Sequence, residues 1–261
     1  FEIDQENFEK LLQHTSAHLK RGRNNYLEGK GQGGKVITAG YALWTLEAGG
    51  QHPEDITAPV TSFLLQYQQD ESHWRHPGSR PPSSGSDFTT TYVALRGLAD
   101  FGSEQQQTKI EKRTEQVGQW LLNASPRDTE DAVFRLMSLP YVAADRETIQ
   151  KAVTELLESQ REDAGWAQTA KMESDSYATG SVLVALLRAG QLPASHPAVL
   201  RGVNYLLSTQ QEDGSWHVVT RAKPFQTYFE SGFPHGKDQF ISIAASSWST
   251  LALSLTLPES P

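Results

Sequence analysis

The chain has 261 residues, enough for one large domain or two small ones, and it contains no cysteine. That absence excludes disulfides, zinc fingers, iron–sulfur clusters, covalently attached haem and thiolate catalysis. Apolar residues make up 37% and charged residues 21%, so the sequence can build a sizeable core. The formal net charge of −8 argues against a nucleic-acid partner, because phosphate binding needs clustered lysine and arginine. No apolar run reaches the roughly 20 residues of a transmembrane helix.

Apolar residues recur at three- and four-residue spacing along most of the chain, which is typical of amphipathic helices. The spacing predicts, in chain order, helices over residues 5–24, 36–48, 55–69, 88–100, 107–123, 129–139, 146–160, 176–189, 197–209 and 239–255. No convincing strand is present, since the apolar pair Val218-Val219 is too short. The sequence therefore predicts an all-α fold.

The predicted helices alternate in character. One set is rich in small and apolar residues, as at 38–44, 179–186 and 243–248, and the other carries charged faces, as at 109–113. A helix that is apolar all round is buried, and an amphipathic helix covers it. The alternation predicts an α/α toroid of about five inner and about five outer helices, with a linear superhelix as the competing arrangement. One domain would then span residues 1–261.

The connections between the predicted helices also alternate. Most of those that lead from an outer to an inner helix are long, at 25–35, 70–87 and 210–238. Long loops carry function more often than short ones. We therefore expect the functional rim at the N-terminal ends of the inner helices.

Three short segments, at 68–74, 160–166 and 210–216, resemble one another, and each follows a helix with an apolar end. The residues that define them are Gln68, Trp74, Gln160, Trp166, Gln210, Asp213 and Trp216. Internal repeats of this kind indicate stacked supersecondary units. Glutamine can bond to the loop backbone and tryptophan can stack between repeats, so we interpret these residues as structural.

The pattern Gln-x-x-Asp-Gly-x-Trp at 210–216 resembles the QW motifs of the prenyltransferase/squalene-cyclase repeat superfamily. Residues 160–166 match it closely, whereas the first copy is degenerate. The resemblance implies a terpenoid cyclase/prenyltransferase-like α/α barrel.

Three further segments, at 126–131, 174–180 and 233–239, resemble more narrowly a bacterial group of squalene–hopene-cyclase-like proteins. Members of that group often sit in larger polypeptides and have no assigned activity. The chain, which begins with Phe1, is accordingly expected to be processed or excised from a longer protein.

Asp175 is the catalytic candidate with the most specific sequence signal. Class II terpene cyclases of this superfamily carry D-x-D-D-T at the start of an inner helix, and its middle aspartate protonates an alkene or epoxide. By this resemblance Asp175 is the proton donor and Glu173 replaces the first aspartate. Ser176 and Tyr177 depart from the pattern and remove a carboxylate that would keep the acid protonated. The alternative, which we weigh above proton donation, is that Asp175 caps the helix that follows.

Three more acids, Asp87, Asp131 and Asp238, lie at or near predicted inner-helix starts. They could be helix caps, or with Asp175 an acidic rim that binds a cation, a sugar or a peptide. Asp131 is the least cap-like, because Thr129 is the better N-cap. The arginines that could pair with these acids are Arg96, Arg127 and Arg135.

Aromatic residues supply candidate contacts for a ligand. Trp44, Tyr92 and Tyr177 would form walls of a central cavity. The loop 221–240 is unusually aromatic and would pack over the mouth as a plug or a lid. Its candidate ligand contacts are Tyr228, Phe229, His235 and Asp238.

The leading functional hypothesis is a domain that binds a small hydrophobic, isoprenoid-type ligand in its central cavity, with or without proton-initiated cyclase chemistry. A second is a non-catalytic ligand- or protein-binding scaffold beside flanking domains of a longer protein. A third is a carbohydrate-active α/α barrel, which needs two carboxylates about 5–10 Å apart. No cofactor and no metal site are predicted, because no third ligand accompanies His73 and His76. The members of the resembled superfamily that prenylate proteins with zinc need a cysteine ligand, so the absence of cysteine excludes that activity here.

Overall fold

The computed structural model describes residues 3–78, 80–223 and 229–257, and no β-strand occurs among them. The α-helices of these residues are α1 Gln5–Arg21, α2 Arg23–Leu27, α3 Val36–Ala48, α4 Glu54–Gln66, α5 Asp87–Phe101, α6 Gln107–Asn123, α7 Thr129–Ser138, α8 Arg146–Glu158, α9 Ser176–Arg188, α10 Pro197–Thr209 and α11 Gln239–Leu255. The all-α class is confirmed. Within the described ranges, no helix is both long and apolar enough to cross a membrane.

The predicted helix bounds agree with the structure at both ends of α3, α6, α10 and α11. The first predicted helix is divided in the structure, because α1 ends before Gly22 and the short helix α2 follows. The Gln32 side chain packs against Gly22 so closely that a Cβ on this glycine would lie 2.3 Å from Gln32 Cδ. The Gln32 amide donates to the carbonyl of His18 at 3.1 Å and so takes part in ending α1.

The described residues group into two compact units. The first unit lies within residues 1–79 and 84–124, where α3 packs against α5 and the helices α1, α4 and α6 flank this pair. The second unit lies within 80–83 and 125–261, where α9 packs between α7 and α11, with α8 and α10 on the outside. The inner helices α3, α9 and α11 have the small and apolar sequences that the alternation predicts, whereas the inner helix α7 also carries Glu130, Asp131 and Arg135.

The three repeat motifs make the same indole hydrogen bond. Each tryptophan donates its ring N–H to the carbonyl ten residues earlier: Trp74 to Leu64 at 3.0 Å, Trp166 to Leu156 at 2.8 Å and Trp216 to Leu206 at 2.9 Å. The three rings are buried. Gln160 and Gln210 each donate to the carbonyl four residues ahead at 2.9 Å. These bonds and the burial of the rings are what a structural role of the motif requires.

The backbone of each tryptophan also forms a hydrogen bond with a hydroxyl of the inner helix that follows it in the chain. Thr91 Oγ1 donates to the carbonyl of Trp74 at 3.4 Å, whereas Trp166 and Trp216 donate their backbone N–H to Thr179 at 2.9 Å and to Ser246 at 3.0 Å. The N–H of Asp175 also donates to the carbonyl of Trp166 at 3.0 Å. The repeat therefore fixes the start of α9, where Asp175 lies.

Candidate functional site

Asp175 caps α9 in the second unit. Its Oδ1 accepts the N–H of Ala178 at 2.8 Å, and its Oδ2 accepts the side-chain amide of Gln168 at 3.0 Å. Burial raises the pKa of the Asp175 carboxyl, although these N–H donors and the positive charge of Arg221 oppose the rise. The predicted cap role is confirmed, and the carboxyl is also easier to protonate than an ordinary aspartate.

Gln168 and Arg221 link this cap to the start of α7. Arg221 Nε donates to Gln168 Oε1 at 2.7 Å, and its Nη2 lies 3.3 Å from Asp128 Oδ2. Asp128 caps α7 by accepting the N–H of Asp131 at 3.1 Å. Two helix starts are thus joined by one amide and one guanidinium.

Sequence reasoning missed Asp128, Gln168 and Arg221, and it assigned the cap of α7 to Thr129. That assignment was wrong, because the Thr129 hydroxyl instead donates to the carbonyl of Ala167 at 2.6 Å. An aspartate directly before Thr129 was the available signal for the cap. Contacts between residues tens of positions apart, as between Gln168 and Arg221, leave no comparable local signal.

The first turn of α7 carries two buried acids with different partners. Asp131 accepts Arg127 Nε at 2.8 Å and the Arg127 N–H at 3.1 Å, so the expected ion pair is present. Glu130 accepts the hydroxyl of Tyr177 at 2.9 Å. Negative charge in this position is favoured by the helix dipole. The predicted aromatic residue Tyr177 therefore presents a phenol that is held by a carboxylate.

Glu173, the second catalytic candidate, is exposed. It makes no hydrogen bond or ion pair with any residue that the structure describes. Burial raises the pKa of Tyr205 to about 12, and the negative charges of Asp163, Asp175 and Glu173 contribute to this rise. The carboxylate that the resemblance would place beside the acid is thus exposed to solvent.

Asp87, in the first unit, is not the cap of α5, because Ser86 fills that position and accepts the N–H of Thr89 at 3.1 Å. Asp87 instead accepts the backbone N–H of His76 at 2.8 Å and lies 3.3 Å from His73 Nε2. The capping interpretation was wrong here, since Asp87 bonds to the loop that contains His73 and His76.

Trp44 and Tyr92, the other predicted wall residues, meet edge to face in the first unit with their ring centroids 5.5 Å apart. The guanidinium of Arg96 lies over the Trp44 ring at 4.6 Å and donates to the Tyr92 hydroxyl at 2.8 Å. Arg96 also pairs with Glu47. These two aromatic residues therefore contact each other, and an ion pair accompanies them.

Asp238 does not cap α11 with its side chain. It accepts the Thr220 N–H at 2.9 Å and lies 3.0 Å from His217 Nε2. Burial alone would raise the pKa of this carboxyl, but these bonds and nearby positive charges lower it overall. The capping interpretation was therefore wrong for Asp238 as well.

The rest of the 221–240 loop is only partly described, and the candidate Tyr228 lies outside the described residues. His235 stacks on His217 with ring centroids 4.6 Å apart, and its Nε2 lies 2.8 Å from Ser215 Oγ. Phe229 is 64% exposed. His235 is thus anchored to the loop before it, whereas Phe229 faces solvent.

An open groove of about 630 Å³ adjoins the start of α7 in the second unit. It is lined by Arg127 and Asp128, by Leu156 of α8 and by residues of the 161–170 loop. Asp128 connects this groove to the bonded chain of Arg221, Gln168 and Asp175. Among the described residues, no three histidine, aspartate or glutamate side chains group closely enough to hold a metal ion.

Residues 118–247 match the family model described as the squalene-hopene cyclase C-terminal domain. The chain is 32% identical over 132 residues to the squalene–hopene cyclase of Bradyrhizobium diazoefficiens, a match covering 44% of this chain and 19% of the relative. It is 35% identical over 115 residues to the probable squalene–hopene cyclase of Sinorhizobium fredii, covering 37% and 16%. The chain thus spans less than a fifth of these curated relatives. The stretch matched by the family model includes Asp128, Gln168, Asp175 and Arg221.

Proposed function

Because the chain belongs to the squalene-cyclase-like prenyltransferase superfamily, we propose that it binds a small hydrophobic ligand of the isoprenoid type and that Asp175 is the acid that meets this ligand. The relatives named above are cyclases, and the model of their C-terminal domain covers the stretch that contains Asp175. The observation that carries the proposal is a carboxyl held at the start of α9 by Ala178 and Gln168, and burial raises the pKa of this carboxyl.

Proton-initiated chemistry needs a carboxylic acid that keeps its proton near neutral pH, whereas an ordinary aspartate with a pKa of about 3.9 is ionised there. Burial moves the pKa of Asp175 in the required direction. The carboxyl is also fixed in place, because Ala178 and Gln168 each bond to one of its oxygens. A positioned acid of raised pKa is what general acid catalysis requires.

In the proposed step, neutral Asp175 gives its proton to one carbon of a ligand double bond. The π electrons form the new C–H bond, which leaves a carbocation on the other carbon and a carboxylate on Asp175. The N–H donors of Ala178 and Gln168 then stabilise that carboxylate. The bonds that lower the acid's pKa thus favour the product of the transfer.

The test is incubation of the chain with a panel of linear isoprenoids, with products separated by mass spectrometry. Asp175→Asn keeps a capping side chain but cannot donate the proton, so product formation should fall by about a hundredfold or more. Asp145→Asn is the matched control, because Asp145 caps α8 in the same way through Thr148 at 2.7 Å. Unchanged turnover in Asp175→Asn would remove this residue from catalysis.

A second candidate function is a non-catalytic binding domain within a longer protein. The observation that favours it is that both Asp175 oxygens already accept N–H bonds, an arrangement that serves a cap without any chemistry. Isoprenoid binding by the unmodified chain without product would support this candidate over the catalytic one.

A further inference from the structure

A groove of about 410 Å³ lies between α4 and α6 and belongs wholly to the first unit. Its volume is within the range of small-molecule sites. Asp175 and its partners belong to the second unit, so this groove is outside the site described above. One wall is formed by α6, and the other by the end of α4 and the turn that follows it.

The α6 wall carries unpaired positive charge. Lys109 and Lys112 are three positions apart on this helix, so their side chains share a face. Both are exposed, and neither forms an ion pair or hydrogen bond with any residue in the described part of the chain. Arg113 adds a third positive charge to the lining, where Asp70 is the one acid. This local excess of positive charge contrasts with the net charge of −8 of the whole chain.

Arg113 holds the two walls of the groove together. Its side chain is buried beneath the turn, and its guanidinium lies 4.3 Å from the centre of the Trp74 ring. It donates to the carbonyls of Glu71 and Gln68, the latter at 3.2 Å. Burial lowers the pKa of Arg113 to about 10, so it stays protonated at neutral pH. The turn that carries Gln69 and Asp70 is thus held against α6.

The opposite wall presents polar groups of another kind. Gln66, Gln69 and Asp70 line the groove with two amides and one carboxylate. All three are exposed, and their side chains make no hydrogen bond with other described residues. Amides donate and accept, and a carboxylate accepts, so this wall suits neighbouring hydroxyl groups. Lysine ammonium groups suit a phosphate.

We propose that this groove binds a phosphorylated sugar, with the phosphate at Lys109 and Lys112 and the hydroxyls at Gln66, Gln69 and Asp70. One wall supplies positive charge for a phosphate, the other supplies polar groups for hydroxyls, and the groove between them is large enough for a small molecule. The proposal does not rest on the isoprenoid function, and Asp175→Asn is expected to leave it unaffected.

The experiment is calorimetric titration of the full chain with glucose 6-phosphate, with inorganic phosphate and glucose as separate arms. Glucose 6-phosphate should bind about tenfold more tightly than inorganic phosphate, because the hydroxyls add hydrogen bonds. Replacing both Lys109 and Lys112 by Gln should weaken its binding by about tenfold or more. The matched control replaces Lys151 and Lys171, two exposed lysines of the second unit, by Gln and should leave affinity unchanged.

Asp70→Ala separates the two halves of the proposal, because it removes a hydroxyl acceptor and should lower the preference for glucose 6-phosphate over inorganic phosphate, whose own binding the loss of a negative charge does not weaken. Amide NMR shifts near Gln66 and Gln69 on titration would locate the ligand. Equal affinity for phosphate and glucose 6-phosphate would overturn the sugar assignment. Absence of binding, or unchanged affinity in the Lys109/Lys112 variant, would overturn the site.

Discussion

Gln168 donates its side-chain amide to Asp175 Oδ2 at 3.0 Å, while its Oε1 accepts from Arg221. The orientation of the amide is therefore determined, because only its oxygen can face the guanidinium. Arg221 in turn reaches Asp128 at the start of α7. One glutamine thus connects the proposed proton donor at the start of α9 to a second helix cap.

Gln168→Ala is expected to destabilise the chain by about 1–3 kcal/mol, because it removes a hydrogen bond from a partly buried carboxyl and leaves Arg221 with one acceptor fewer. It should also raise the pKa of Asp175 further, since this amide is one of the groups that lower it. Chemical denaturation and carboxyl ¹³C titration measure the two effects. Gln150→Ala on the exposed face of α8 is the control and should change neither.

Asp175→Asn is expected to change how stability depends on pH. A carboxyl whose pKa is raised by folding stabilises the fold fully below its unfolded pKa of about 3.9, and this contribution is lost as pH rises through the folded value. Asparagine keeps the cap without a charge to desolvate. The variant should therefore gain stability relative to the parent between pH 3 and pH 7. Urea unfolding across this range checks it, and an unchanged difference would contradict the raised pKa.

Thr179→Val should destabilise the chain by about 1–3 kcal/mol, because it leaves the buried N–H of Trp166 without its acceptor. The shape of the side chain is nearly unchanged, so the loss reports the hydroxyl. Thr154→Val on the exposed face of α8 is the matched control, with an expected change within about 0.5 kcal/mol. Thermal unfolding compares the two, and equal effects would show that the tryptophan contact contributes nothing.

Gly180→Ala should destabilise the second unit by about 1–3 kcal/mol. A Cβ at this position would lie 2.8 Å from the backbone N of Ser249, where α9 and α11 approach closely. Gly33→Ala is the opposite case, because a Cβ there meets no atom within 4 Å. It should be neutral or stabilise by up to about 1 kcal/mol, since alanine restricts the unfolded chain. The denaturant midpoint should fall for Gly180→Ala and stay the same or rise for Gly33→Ala.

Most of the helices were predictable because they have local causes. The apolar period of α10 and its start at Pro197 give both bounds, and the repeat motif marks where several outer helices end. The break at Gly22 depends on Gln32, and the roles of Asp87 and Asp238 depend on partners in other loops. Such contacts are set by tertiary packing, so spacing along the chain does not reveal them.

The same limit applies to the candidate site. The cap at Asp175 follows from one residue and the helix after it, and it was predicted. The bond between Gln168 and Arg221 joins residues 53 positions apart, and neither residue type marks such a contact. The bond between Tyr177 and Glu130 is likewise long-range. Sequence therefore located the acid but not the groups that adjust its proton affinity.

Trp166 holds both Asp175, through its carbonyl, and Thr179, through its N–H. The chain between Trp166 and Asp175 is consequently a loop whose two ends are fastened to each other. The bonds of Asp175 go to Trp166, Gln168 and Ala178, so we expect the acid to keep its place on α9 when the composition of residues 169–174 changes. Under the proposed function, exchanging that loop would change what a ligand meets beside Asp175 without redesigning the helices.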